Sequence, residues 1–117
     1  MNAVEARKYL INLYILGRRA KQKLHDFDPD ISLCQEWANT ALSALKVIES
    51  ISNPLYRVFL IERYINMSTV KRTFEYMGYE SSGGFIRRIQ REAHQAFADA
   101  FENNVIFASI TGDQIET

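Results

Sequence analysis

The sequence has one cysteine, two prolines and no long apolar run. Cys34 is the single cysteine, so no disulfide can form within the chain, and the composition suits a reducing cytoplasm. There is no uninterrupted apolar run of about 20 residues, and therefore neither a membrane span nor a signal peptide is expected. Because 47% of the 117 residues are apolar, we expect one soluble, cytoplasmic domain with a substantial core.

The sequence also lacks a net charge, since it carries 14 basic and 14 acidic side chains, but these charges are unevenly distributed. Residues 1–25 hold six Lys or Arg against one acidic residue, and residues 57–91 hold seven against three. The segments 26–56 and 92–117 are acidic. Zero net charge argues against a generic nucleic-acid binder, whereas this alternation can direct one basic surface at phosphate groups.

Motifs for catalysis and for metal binding are missing as well. His25 and His94 have no partner at a zinc-type spacing, and the sequence contains no phosphate-binding glycine loop and no nucleophile elbow. Aspartates alternate over residues 26–30 as at the start of a calcium loop, but Ile31 and Trp37 occupy the positions that require glycine and the closing acid. We therefore predict that the protein is not an enzyme and uses no metal and no cofactor.

The hydrophobic pattern predicts helices throughout, beginning with a long amphipathic helix over Val4–Leu24. Apolar residues recur there mostly at steps of three and four. Pro29 and the neighbouring aspartates predict a reversal of the chain. A second helix is expected from near Ser32, which has capping-box spacing to Gln35. Two helices joined by so short a turn predict an antiparallel helical hairpin over residues 1–52.

Two capping signals predict further helices in the second half of the chain. The sequence Ser52-Asn53-Pro54 combines capping residues with a proline suited to the first helical position, and predicts a third helix through Ile65. Four of its apolar side chains are expected to face inward: Leu55, Val58, Phe59 and Ile65. Ser68 is the expected cap of a short fourth helix, which Gly78 should end.

A fifth helix is expected after Ser81-Ser82-Gly83-Gly84 and should run to about Glu102. Its two serines are the expected caps, and the free backbone N–H groups beside them could hold a phosphate oxygen. A short helix, a glycine turn and a longer helix outline a helix-turn-helix, here over residues 54–102. Together these elements predict an all-α single domain over residues 1–104, followed by a tail at residues 105–117.

The fifth helix has the amphipathic pattern expected of a recognition helix. At about 100° per residue, its apolar side chains share one face: Phe85, Ile86, Ile89, Ala93, Ala96, Phe97 and Ala100. Arg87, Arg88 and Arg91 lie on the other side of its first half, the part of a recognition helix that reaches base edges. Arginine forms bidentate hydrogen bonds with guanine and with phosphate.

These features predict binding of double-stranded DNA through the major groove. Lys71 and Arg72, on the fourth helix, are expected to contact the phosphate backbone. The predicted DNA-binding residues are Lys71, Arg72, Ser81, Ser82, Arg87, Arg88 and Arg91. The alternative interpretation of the three arginines is an ordinary solvated helix face.

Several segments of the second half resemble the ArpU family of phage transcriptional regulators. They are Ile51-Ser52-Asn53-Pro54-Leu55-Tyr56-Arg57, Arg63-Tyr64-Ile65, Met77-Gly78-Tyr79, Glu92-Ala93 and Ala96-Phe97-Ala98-Asp99-Ala100-Phe101. That family is similar in turn to the DNA-binding fourth region of sigma factors and to the RinA-type phage activators. The resemblance implies a phage or prophage regulator that binds promoter DNA, activates late genes for packaging and lysis, and has RNA polymerase as a further partner.

The main alternative is a non-catalytic helical interaction module. The first helix carries a broad apolar stripe flanked by Arg18, Arg19, Lys21 and Lys23, which suits a partner helix or phosphate groups. Such a module would form a homodimer through the N-terminal hairpin and act as an RNA polymerase-binding or structural phage protein. Oligomeric state and the response to DNA at low salt distinguish the two interpretations.

Overall fold

A computed structural model describes the backbone of residues 1–80 and 83–116 and the side chains of these residues up to Asn104. Within this part of the chain every regular element is a helix, which confirms the all-α prediction. The α-helices are α1 (Ala3–His25), α2 (Ile31–Glu49), α3 (Pro54–Leu60), α4 (Val70–Tyr76) and α5 (Gly83–Glu116). None of the helices in the described part of the chain combines the length and apolar character that crossing a membrane requires.

The helix α1 begins and ends close to its predicted bounds. The Asn2 side chain accepts a hydrogen bond from the backbone N–H of Glu5 at 2.9 Å, and the Glu5 carboxylate accepts one from the backbone N–H of Asn2 at 3.2 Å. This reciprocal capping box satisfies two N–H groups that have no partner within the helix. Lys23 and His25 stand in the last turn, where positive charge is favourable for the helix dipole.

The starts of α2 and α3 are set by acidic and amide side chains. Asp30 caps α2, because its carboxylate accepts a hydrogen bond from the backbone N–H of Leu33 at 2.9 Å. The prediction that Ser32 caps this helix is therefore wrong, since Ser32 already lies inside it. Asn53 caps α3, with Pro54 in the first turn, as predicted.

The cap of α4 lies one residue after the predicted one. The Thr69 hydroxyl accepts a hydrogen bond from the backbone N–H of Arg72 at 3.2 Å. Ser68, the predicted cap, is held by the preceding segment instead, because its N–H donates to the carbonyl of Glu62 and its carbonyl accepts from Arg63. These backbone bonds keep Ser68 outside the helix.

The segment that follows α3 is a π-helical turn, Ile61–Ile65, called the π-turn below. Its defining bond runs from the backbone N–H of Asn66 to the carbonyl of Ile61, five residues earlier, at 2.9 Å. The sequence predicted a regular helix through Ile65, whereas the wider turn accommodates one additional residue. In this arrangement Tyr64 is buried, and the Arg63 guanidinium lies over the Tyr14 ring, 4.7 Å from its centroid.

A single apolar core is enclosed by α1, α2, α3 and α5, with α4 attached at its edge. Its largest fully buried apolar side chains are Phe59, Phe74, Phe97, Leu10, Leu13, Ile48 and Leu60. Two side chains predicted to face inward, Val58 and Phe85, are instead 38% exposed. Phe85 lies at the start of α5, where its ring packs on Tyr79 rather than on the core.

The helix α1 makes its closest approach to the rest of the molecule at Gly17. A Cβ atom at this position would lie 2.5 Å from Sδ of Met67 and 2.7 Å from Nε1 of Trp37. Both distances are below van der Waals contact, so only glycine fits without displacing these side chains. Gly17 therefore allows α1 to pack closely against α2 and the segment after the π-turn.

The helix α5 is longer than predicted, because it continues past Glu102 to Glu116. The sequence contains no proline in this region and no glycine between Gly84 and Gly112, so no strong stop signal stands near residue 102. Asn104 donates hydrogen bonds to the carbonyl of Ala100 and to the hydroxyl of Ser50, which attach this part of α5 to the end of α2. The division of the chain at residues 104 and 105 stays a prediction.

Candidate nucleic-acid interface

The turn after α4 is a glycine-dependent helix end. Gly78 has a φ of 85°, a conformation that side-chain-bearing residues rarely adopt. Its N–H donates to the carbonyl of Glu75 at 3.0 Å, and the N–H of Tyr79 donates to the carbonyl of Phe74 at 2.9 Å. These two bonds form a Schellman motif with glycine at its left-handed position. The predicted end of α4 at Gly78 is confirmed.

The helix α4 is anchored by one aromatic side chain. Phe74 is fully buried, and its ring centroid lies 5.6 Å from that of Phe59 on α3. Thr73 is buried beside it and donates a hydrogen bond back to the carbonyl of Thr69 at 2.8 Å. With this side fixed, α4 exposes Lys71 and Arg72 together with Glu75 and Tyr76.

The first half of α5 separates apolar and basic side chains as the sequence predicted. Ile86 and Ile89 are buried in the core, whereas Arg87, Arg88 and Arg91 are exposed. Guanidinium groups on an exposed helix face can approach phosphate and base edges directly. The three arginines nevertheless divide between two sides of the helix, with different surroundings.

Arg88 lies on the side of α5 that faces α3. Its Nε is 3.0 Å from Oε1 of Glu92, one helical turn later, and the Tyr56 hydroxyl donates to the other carboxylate oxygen of Glu92. The hydrogen bond from Tyr56, followed by that from Arg88, lowers the pKa of Glu92. The Arg88 side chain is 65% exposed, so its pairing with Glu92 leaves much of it open to solvent.

Arg87 and Arg91 lie on the side of α5 that faces α1. Together with Arg7 of α1 they line a groove of about 320 Å³, called the α1–α5 groove below, to which Gln90 and His94 also contribute. Arg7 is not among the site residues predicted from the sequence. The excess of basic residues at positions 1–25 was the available signal, but it did not distinguish Arg7 from its neighbours.

His94, which lines this groove, belongs to a buried polar pair. Nε2 of His94 lies 2.6 Å from the hydroxyl of Tyr64, which stands in the π-turn. Burial is the main cause that lowers the pKa of His94 to about 4, and the positive charges of Arg7 and Arg63 lower it further. Burial likewise raises the pKa of Tyr64. At neutral pH both groups are uncharged, so neither of them balances the arginines.

Two glycines stand in the first turn of α5, at Gly83 and Gly84. Both are helical, so the unusual backbone angles that glycine permits are not used here. A Cβ atom at either position would meet no atom within 4 Å. Packing therefore does not require glycine at either position. Ser81 and Ser82, the predicted caps and phosphate ligands, lie outside the described residues.

Comparison of the chain with models of protein families, with curated proteins and with solved structures finds no match. The resemblance to the ArpU family stays a prediction.

Proposed function

We propose that this chain is a DNA-binding transcriptional regulator that selects its sequence through the major groove. In this proposal α1 and α2 form the helical hairpin, and α4, the Gly78 turn and the first half of α5 form a helix-turn-helix of the sigma region-four type. The observation that carries the proposal is the exposed row of Arg87, Arg88 and Arg91, directly after the glycine turn and opposite a buried apolar face.

The proposed roles of the side chains follow from their positions. Arg87 and Arg91, which have no carboxylate within ion-pair distance among the described residues, are the best placed to bind bases and phosphates. Arg88 can reach the same surface once it leaves Glu92. Lys71 and Arg72 on α4 would hold the phosphate backbone and fix the register of α5.

The wider biological role is taken from the resemblance to the ArpU regulators. It supports a cytoplasmic phage or prophage protein that activates late genes and contacts RNA polymerase at the promoter. The glycine turn and the amphipathic fifth helix are the features of this chain that agree with it.

The test is selection of binding sites from a pool of randomised DNA duplexes, followed by fluorescence-anisotropy titrations of the selected duplex at several salt concentrations. The variant is Arg87→Ala/Arg91→Ala. The matched control is Lys8→Ala/Lys46→Ala, which also removes two exposed positive charges but lies elsewhere, on α1 and α2.

We expect the arginine variant to bind much more weakly and to lose about one unit of salt dependence for each phosphate contact removed. The lysine control should bind like the wild type. Equal binding by the two double variants would remove the site assignment. If the selection enriches no sequence, the proposal of sequence-selective recognition is wrong.

A specific observation favours the interaction module as the second candidate function. The turn between α1 and α2 exposes three large apolar side chains, Leu24, Phe27 and Ile31, and Phe27 is 95% exposed. Such a patch suits self-association through the N-terminal hairpin. Light scattering of the wild type and of Phe27→Asn, a residue type that tolerates the φ of 56° at this position, would test it. A dimer that the substitution dissociates, and that ignores DNA at low salt, favours this second function.

A further inference from the structure

We propose that the α1–α5 groove is a phosphate-binding site in which Arg7 of α1 acts together with Arg87 and Arg91 of α5. The inference deepens the proposed function, and it rests on that function where the phosphate belongs to a DNA backbone. It adds a residue of the first helix to an interface that sequence analysis confined to the second half of the chain.

The groove is built by tertiary packing of distant segments. Arg7 and Arg87 are 80 positions apart in the sequence, and the packing of α1 against α5 brings them to the same concave surface. The volume of about 320 Å³ is at the lower end of the roughly 300–1,000 Å³ typical of ligand sites, which suits a small anion or one group of a larger molecule.

The charges around the groove are unbalanced. Within the described side chains, ion pairs join Lys23 to Asp28, Arg88 to Glu92, and the N-terminal amine to Glu102. None of them involves Arg7, Arg87 or Arg91, and none of the described residues that line the groove is acidic. An anion placed between like charges relieves their repulsion, so this arrangement favours a negatively charged ligand.

The type of donor indicates phosphate among the anions. Guanidinium groups present planar pairs of N–H donors that match the oxygens of phosphate, and here they approach from two different helices. Gln90 adds an uncharged amide to the same lining. On DNA, a backbone phosphate held here would fix α5 on the side that faces α1.

The first arm of the test uses inorganic phosphate and the full-length protein. The Nε–Hε signals of the arginines are followed by NMR at neutral pH while phosphate replaces chloride at constant ionic strength. We expect saturable shifts at Arg7, Arg87 and Arg91, and much smaller ones at Arg18 and Arg19 at the other end of α1. Arg7→Gln should abolish the shifts at Arg87 and Arg91, whereas Lys8→Gln, at the neighbouring exposed position outside the groove lining, should preserve them.

The second arm measures the salt dependence of DNA binding for the same two variants. If the phosphate comes from the DNA backbone, Arg7→Gln lowers the slope by about one unit and Lys8→Gln leaves it unchanged. Saturable phosphate binding with an unchanged DNA slope for Arg7→Gln supports the site and assigns it to a free phosphorylated molecule.

The two failures are distinguishable. If phosphate shifts the groove arginines no more than chloride does, and Arg7→Gln binds DNA like the wild type, the site is overturned while the proposed function survives. If the wild type binds no DNA, the proposed function fails, and the NMR titration with inorganic phosphate still decides whether the groove binds phosphate.

Discussion

The hydroxyl of Tyr64 lies 2.6 Å from Nε2 of His94, in the buried layer between the π-turn and α5. The raised pKa of Tyr64 keeps this hydroxyl protonated, and it shares a hydrogen bond with the neutral His94 ring. Arg7 and Arg63 lie close enough to lower the pKa of His94 further. His94 therefore joins the core to the positively charged groove, and its protonation state depends on pH.

Acidification should destabilise the protein through His94. The unfolded chain binds this proton below about pH 6.5, but the folded protein binds it only below about pH 4. The stabilisation is therefore complete above pH 6.5 and is lost as the pH falls toward 4, by up to about 3 kcal/mol at about 1.4 kcal/mol per pKa unit. Urea denaturation between pH 4 and 7 measures this loss.

Two substitutions identify the group responsible. His94→Gln should be less stable than the wild type at pH 7 and should flatten the pH dependence of the free energy of unfolding. His25→Gln, which alters an exposed histidine at the end of α1, should retain it. An unchanged slope in His94→Gln would show that other groups cause the acid sensitivity.

Gly17→Ala should destabilise the protein because the new methyl group would overlap Met67 and Trp37. Overpacking of this kind costs about 1–3 kcal/mol. The matched control is Gly84→Ala, whose methyl group meets no neighbour and which should stabilise α5 by up to about 1 kcal/mol. Thermal denaturation followed by circular dichroism compares the two, and equal melting temperatures would contradict the close approach of α1 at Gly17.

Glu92→Gln should strengthen DNA binding. The substitution removes a negative charge from α5 and releases Arg88 from its ion pair, so one more guanidinium becomes free for phosphate. Its effect on stability should be small, because exposed pairs one helical turn apart contribute little and the glutamine amide oxygen can still accept the hydrogen bond from Tyr56. Anisotropy titrations should show tighter binding and a steeper salt dependence than for Glu36→Gln, a charge-matched control on α2. Weaker binding would mean that Glu92 and Tyr56 hold Arg88 in its binding position.

Thr69→Ala should destabilise the protein by about 1 kcal/mol, because it removes the side-chain cap of α4. Ser68→Ala should have little effect, since Ser68 is held through backbone groups. Chemical denaturation of the two variants gives the comparison. A larger loss in Ser68→Ala would place the cap where the sequence pattern predicted it.

Sequence analysis predicted the helices well because their signals are local. Apolar spacing, Pro54 after Asn53, and Gly78 each act within one or two helical turns, and the structure follows them. The caps of α2 and α4 were misplaced, since several residues able to cap stand side by side there. Asp30 and Thr69 are the actual caps, because the backbone geometry at these helix ends, which the sequence pattern does not specify, favours them.

The surroundings of the candidate site could not be predicted from the sequence, because they are formed by residues that lie far apart along the chain. The helical wheel of α5 correctly predicted that Arg87, Arg88 and Arg91 are exposed. It could not show that Glu92, the partner of Arg88, also binds Tyr56, which lies 36 positions earlier in the chain. The position of Arg7 beside α5 is likewise a result of packing. Helical periodicity shows which face of its own helix a residue occupies. Only the fold shows which element lies against that face.

The π-turn affects how this chain aligns with related sequences. Because Ile61–Ile65 accommodates one residue more than an α-helical turn, the periodicity before it and after it differs by one position. A relative with a regular helix at this point would align with this chain only if a single-residue gap were opened inside the turn. Without that gap, Tyr64 would be matched to a residue pointing in another direction, and its counterpart facing His94 would be missed.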